Sequence, residues 1–253
     1  MFKWVKDVTR RVLRRMGFEV FAYNHRRIHE LRKAKLLGDL GITLVFDVGA
    51  NAGQFGKRLR ASNYRGRIVS FEPIPSVFTE LQACAARDPA WTAVNLAIGE
   101  RNGTSEINVA EFSQVSSLLP ATGVSITHSW TATTRHPIEL RRLDSIASEY
   151  LRPDDRVYLK LDVQGYERQV LLGASSILNG VLAIELEVST LPLYEGEWLM
   201  PEMMSTIGER GFGVFSIDTV AVDHVTGRVI QFEVLFVNDA LIKVRCDGDA
   251  FRG

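Results

Sequence analysis

Hydrophobic and polar positions along this chain fall into blocks whose period switches. Over residues 2–16, Phe2, Trp4, Val5, Val8, Val12, Leu13 and Met16 share one half of a helical wheel, while Lys3, Lys6, Arg10, Arg11 and Arg14 hold the other. That spacing predicts a basic amphipathic helix. Residues 24–38 predict a second basic helix ending near Gly38. From Ile42 the pattern becomes short apolar runs alternating with helical stretches. Residues 44–46, 67–71, 91–96, 157–162 and 181–187 read as strands, most of them apolar enough to be buried on both faces. Helices are expected from Gln54, from Ser76 (capped by its hydroxyl, with Val77, Leu81 and Cys84 inward), over 144–151, over 166–178 and from Pro201. Residues 104–109 and 138–142 are extended, and 211–217 pairs with 229–237 as a closing hairpin. Strands alternating with helices predict an α/β fold with a mostly parallel seven-stranded sheet, right-handed crossovers and one antiparallel strand from the hairpin.

The 253 residues suit one large domain over 41–253 preceded by a basic helical extension over 1–40. The Ser- and Thr-rich stretch 111–136, with Ser116, Ser117, His128 and His136, is the least regular part and reads as an insertion or lid over an active site. Net charge is zero, but residues 1–40 carry +7 and the rest −7. An acidic body argues against a general nucleic-acid binder. Cys84 and Cys246 form neither a metal spacing nor a disulfide framework, which points to a reducing cytoplasm. No apolar run approaches membrane-spanning length. Residues 2–16 suit two roles: packing on the domain or on a second subunit, as in a homodimer, or peripheral docking on an anionic membrane at the inner face.

The chemistry concentrates at the carboxyl ends of the strands, where open α/β sheets bind their ligands. Asp47-Val-Gly49-Ala-Asn51-Ala-Gly53-Gln54 closes the first strand and opens a helix, so backbone N–H groups face a ligand across a glycine turn. Asn51 occupies the position where the dinucleotide fingerprint needs glycine, which argues against a nucleotide-dependent oxidoreductase. Glu72, followed by Pro73, ends the second strand 19 positions after Gly53, where a carboxylate can accept both hydroxyls of a ribose. Asp162 and Glu187 end two further strands. Ala97 follows the third.

The Gly49-x-x-x-Gly53 turn with Asp47 resembles motif I of class I S-adenosylmethionine-dependent methyltransferases. A closer resemblance covers about residues 42–237. It is carried by Val45-Phe-Asp-Val-Gly-Ala-Asn-Ala-Gly53, Ser70-Phe-Glu-Pro73, Leu159-Lys-Leu-Asp-Val-Gln-Gly-Tyr-Glu167 and Glu187-Val-Ser-Thr-Leu-Pro-Leu-Tyr-Glu-Gly196. Weaker echoes are 115–119, 142–144 and 226–228. Together these resemble the FkbM family of methyltransferases. The resemblance implies the Rossmann-like class I fold, bound S-adenosylmethionine, and methylation of a hydroxyl oxygen on a sugar, glycolipid, polysaccharide or polyketide. Glu233, where the resemblance leads one to expect Asp, is the one departure, and its place in the last strand puts it away from the expected chemistry. Asp47, Gly49, Asn51, Gly53, Gln54, Glu72, Pro73, Ala97 and Asp162 are then the expected cofactor residues.

An aliphatic hydroxyl needs a base or a metal to become a nucleophile. His128 in the insertion is the expected base ahead of His136, with Asp162 and Glu187 as further catalytic residues that serve acceptor, base or metal. The same two carboxylates are oxygen ligands of the kind Mg²⁺ accepts, and equally suit gripping sugar hydroxyls or orienting a histidine. Lys160 is expected either to face the cofactor side of the sheet edge or to pair with Glu167 or Glu187, and Tyr194 and Trp198 either stack on a sugar or anchor their loop. A catalytically inactive cofactor-binding subunit would have no use for Asp162 and Glu187.

Overall fold

A computed structural model describes residues 25–122, 132–223 and 225–241. The basic segment 2–16 and His128 therefore lie outside the described residues. The described chain opens with helix α1 (His25–Asp39), followed by β1 (Leu44–Val48), α2 (Gln54–Ala61), β2 (Arg67–Phe71), α3 (Pro75–Ala85) and β3 (Trp91–Val94). Then come β4 (Ala97–Ile98), β5 (Gly103–Ala110), β6 (Ala132–Arg141), α4 (Leu143–Ile146), β7 (Val157–Leu161), α5 (Glu167–Gly173), β8 (Val181–Ser189) and α6 (Met200–Gly208). The hairpin β9 (Phe212–Val222) and β10 (Val229–Asn238) closes the fold.

Seven strands form one sheet in the order β3-β2-β1-β7-β8-β10-β9. β10 runs antiparallel to both neighbours, and the pairings from β3 to β8 are parallel. The expected architecture is thus present, with the antiparallel strand inserted between β8 and β9. Period-two alternation divides the interior. Leu44, Phe46 and Val48 enter one core with Leu159 and Leu161, whereas Val45 and Tyr158 face the other, under α1 and α2. Burying such a side chain fully contributes about 1.5–3 kcal/mol, which accounts for five-residue strands with no exposed position.

Four local features differ from the pattern-based reading. The third strand stops at Val94, and Ala97–Ile98 joins a separate sheet of order β4-β6-β5. β6 starts at Ala132, so the end of stretch 111–136 is strand rather than lid. α3 begins at Pro75, so Ser76 lies inside its first turn and the capping position falls to Ile74, which has no side-chain acceptor; the Ile74 N–H itself donates to the Glu72 carboxylate at 2.8 Å. Cys84 is half-buried, and Ala85 completes that helix's inner face. Helix α1 packs on the sheet through Lys33, Leu36 and Leu37, followed by Leu40 in the turn after it, all buried. Among the described residues no helix is long and apolar enough to cross a membrane.

Candidate active site

The β1–α2 turn sits between two neighbouring strand ends. The N–H groups of Gly49 and Ala50 both donate to the Phe71 carbonyl at 3.0 Å. Gly49 has φ 78°, and a Cβ there would stand 1.9 Å from the Asp162 carbonyl. The glycine is therefore required by the close approach of the β7 end. Gly53, also left-handed at φ 79°, caps α2 and packs against Leu81 and Trp91 behind the cleft wall. Between them Asn51 adopts φ 48° and organises the turn: its Oδ1 accepts from Ala52 N–H and Gln54 Nε2, and its Nδ2 donates to Ser113 Oγ.

Glu72 is 3% exposed, and its two oxygens accept the backbone N–H of Asn51 at 2.9 Å and of Ile74 at 2.8 Å. Burial pushes its carboxyl up to about 7, against the pull of those two amides. Each oxygen keeps a free lone pair, so the group can still accept vicinal hydroxyls. Asp47 is fully buried. Its Oδ2 accepts from Ser70 Oγ at 2.9 Å, Ser70 accepts from Trp91 Nε1 at 3.0 Å, and Asp47 Oδ1 has no hydrogen-bond partner among the described residues. Burial raises its carboxyl, and Lys160 across the β1–β7 pair opposes that rise.

One cleft of about 870 Å³ runs along the carboxyl edge of the sheet. At one end Asp47, Gly49, Asn51, Glu72, Pro73 and Ala97 line it, beside Gln54. Apolar walls come from Phe71, Ile74, Leu96 and Ile98. This set fits S-adenosylmethionine: a carboxylate for ribose hydroxyls, an apolar slot for a base, and an orphan buried carboxylate oxygen suited to an ammonium group.

In the middle of the cleft stand the acids of β7 and β8. Lys160, 4% exposed, donates to Asp162 Oδ2 at 3.0 Å. Burial pulls the ammonium down, but Asp162 and Asp47 outweigh it and hold the group charged. Gln164 Nε2 donates to Asp162 Oδ1 at 2.9 Å and to Glu187 Oε2 at 3.3 Å. Burial and the facing Asp162 hold the Glu187 carboxyl well above the usual carboxylate range, with Lys160 opposing. Tyr194 OH lies 3.0 Å from Gln164 Oε1 and 3.1 Å from the Val115 carbonyl.

The far end belongs to α1 and the β9–β10 hairpin. His29 bridges Asp218 and Glu233, the latter at 2.6 Å. Lys33, 2% exposed, reaches Glu185 at 2.8 Å and Glu233 at 3.1 Å, and Tyr158 OH donates to the other Glu185 oxygen. Lys33 and Lys160 both stand over the Phe55 ring, 5.2 and 5.3 Å from its centroid. Burial raises the Glu233 carboxyl, but His29 and Lys33 outweigh it and leave the group well below its ordinary range.

Several expectations change on this geometry. Lys160 faces the cleft at the sheet edge, one of the two placements expected, and pairs with Asp162 rather than with Glu167 or Glu187; Glu167 is buried and accepts the Val163 N–H. Tyr194 is buried, and Trp198 lies under the Arg168 guanidinium at 4.8 Å, so both anchor their loop. His136 is exposed on β6, opposite Ile107, and is not part of the cleft wall. Glu233 is not remote but lines the cleft. The Mg²⁺ expectation finds no support: among the described residues no three His, Cys, Asp or Glu groups converge on a metal position. Asp162 and Glu187 are instead spaced by Gln164. His29, Arg58 and Gln164 were not anticipated in the site. Gln164 stands inside a recognised motif, whereas nothing in a basic helix 158 residues before Glu187 marks His29.

The residues that build this edge match known proteins. The chain is similar to the 2-O-methyltransferase NoeI of Sinorhizobium fredii (strain NBRC 101917 / NGR234), at 25% identity over 174 residues, covering 61% of this chain and just under two thirds, 66%, of that protein. A putative methyltransferase from Thermobifida fusca YX has the same fold at TM-score 0.50 and 12% identity, over 85% of this chain and 80% of that one. The methyltransferase FkbM from Methylobacillus flagellatus KT aligns at TM-score 0.45 and 13% identity, over 76% of this chain and 43% of that one. The model of the methyltransferase FkbM domain matches residues 47–214, which include Asp47, Glu72, Asp162 and Glu187, and the chain belongs to the FkbM methyltransferase family.

Proposed function

We propose that this chain transfers the methyl group of S-adenosylmethionine to a hydroxyl oxygen of a sugar, carried on a glycolipid or polysaccharide or free. The observation that carries the reading is the placement of Asp162 and Glu187 around one Gln164 amide, in the same cleft as Glu72 and the unpartnered Asp47 oxygen. The similarity to NoeI, a 2-O-methyltransferase, supports oxygen as the acceptor atom.

When bound, the cofactor supplies a methyl group on a positively charged sulfur, open to in-line attack. Glu72 would hold its ribose and Asp47 its ammonium group. Asp162, fixed by Lys160 and Gln164, accepts a hydrogen bond from the sugar and orients it; such positioning is worth up to ~7–11 kcal/mol. Glu187 takes the hydroxyl proton as the oxygen–methyl bond forms and the sulfur–methyl bond breaks. In its ionised form a carboxylate whose affinity for a proton is raised by burial and the facing Asp162 is a stronger base than a free glutamate. His128 is the rival base, and Glu187→Gln and His128→Ala separate the two. No metal is assigned a part.

Calorimetric titration with S-adenosylmethionine on wild type and Glu72→Ala tests the cofactor half, and a labelled-methyl screen over neutral sugars and glycolipids tests the acceptor. Micromolar binding lost in the variant is expected. A folded wild type that binds no S-adenosylmethionine would remove the reading.

A further inference from the structure

The family region spans residues 47–214, yet one end of the cleft is built largely from residues outside it. His29 and Glu30 of α1, with Asp218, Gln231 and Glu233 of the hairpin, form that wall. It is a fixed wall, since His29 is held between Asp218 and Glu233, and Lys33 behind it is locked to Glu185 and Glu233. Ile217 and Val220 stand beside it, 44% and 41% exposed, and offer apolar surface to the C–H face of a sugar ring.

The cleft's charge is lopsided. Among the described residues, seven acidic side chains line it against one arginine, one lysine and one histidine, and burial holds Asp47, Glu72 and Glu187 above the ordinary carboxylate range. Each of these three cations is already engaged: Lys160 with Asp162 at 3.0 Å, Arg58 with Glu30 at 3.1 Å, and His29 with Asp218 and Glu233. Among the described residues an arriving anion finds no unpaired counter-charge and must face carboxylates instead. Carboxylate oxygens are, by contrast, good acceptors for sugar hydroxyls and ammonium groups.

We propose that the end of the cleft walled by α1 and the β9–β10 hairpin is the acceptor subsite. It takes an uncharged or amine-bearing sugar and refuses one with a carboxylate or phosphate beside the reacting hydroxyl. The inference rests on the reading of the cleft as a sugar O-methylation site.

The test is saturation-transfer NMR on the full chain loaded with S-adenosylhomocysteine, with methyl glucoside, glucosamine and glucuronic acid as probes. Glucoside and glucosamine are expected to give signals, and glucuronic acid to bind at least about fivefold more weakly. Glu30→Gln removes a carboxylate and frees Arg58, so it should raise the glucuronic acid signal several-fold. Glucuronic acid binding wild type as well as the others, no probe binding at all, or no gain in the variant would each overturn the proposal. Calorimetry with S-adenosylhomocysteine keeps the two levels apart. If it binds while the sugar pattern is absent, only the subsite falls; if it does not bind, the methyltransferase reading itself falls.

Discussion

If Glu72 holds the cofactor ribose as proposed, cofactor affinity becomes a function of pH in the neutral range. The Glu72 carboxyl is buried, and its midpoint in the unliganded protein is about 7. Roughly a tenth of the molecules then carry the ionised form at pH 6 and nine tenths at pH 8. The ionised form accepts ribose hydroxyls with both oxygens, while the protonated form offers one acceptor fewer and a competing donor. Cofactor affinity should therefore fall about tenfold from pH 8 to pH 6, or about 1.4 kcal/mol. Folding carries the opposite sign. The folded midpoint is raised from the glutamate value of 4.5 to about 7, so the folded state holds the extra proton between those values. The unliganded protein thus gives up about 3 kcal/mol from this carboxyl as pH rises across that window. Cofactor-induced thermal stabilisation should accordingly grow with pH. Calorimetry with S-adenosylhomocysteine at pH 6, 7 and 8 reads the effect directly. Glu72→Gln should bind weakly at every pH, with no slope, because its amide cannot accept both the Asn51 and Ile74 N–H groups. A flat wild-type profile, or a slope retained in the variant, would refute the assignment.

Three further outcomes follow from the geometry. Lys33→Met strands Glu185 and Glu233 without their ammonium and should cost about 3–5 kcal/mol in urea unfolding; the loss should be smaller at pH 5, where Glu185 can take a proton, and a loss below about 1 kcal/mol would contradict the buried pairing. Gly56→Ala places a Cβ 2.3 Å from the Trp91 ring, so it should lower stability by about 1–3 kcal/mol, and a raised melting temperature would mean that helix propensity outweighs the clash. Glu187→Gln should lower methyl transfer about 10²–10⁴-fold with cofactor affinity retained, and full activity in that variant would return the base to His128.

The sheet was legible because its strands are short apolar runs bounded by glycine and acid, and period two leaves few alternatives. The cofactor end was legible for a related reason: Asp47, Asn51 and Glu72 lie at strand ends, and the turn between them is local in sequence. Local patterns fail where partners come from afar. Glu185 reads as one polar position in an apolar run, and only Lys33, 152 residues earlier, explains its burial. The β4-β6-β5 sheet was missed for the same reason, since β4 has two residues and gains its identity from β6.

The long-range pairs also show why a basic helix belongs to an acidic body. Asp47, Lys160, Glu185 and Glu233 fall on the sheet face that carries Val45, Tyr158 and Leu235, under α1 and α2. Buried carboxylates in such numbers would be untenable alone. Lys33 and His29 of α1 neutralise the inner ones, so the positive charge that sets the N-terminal region apart in the sequence is in part the counter-charge of the sheet. α1 has no acidic residue in its first turn and no basic residue in its last, so its charges are not placed for its own dipole. They are placed for the strands beneath. Removing α1 would therefore both open the far end of the cleft and leave Glu185 and Glu233 without Lys33 and His29, so that the wall of the cleft and the stability of the sheet depend on the same two side chains.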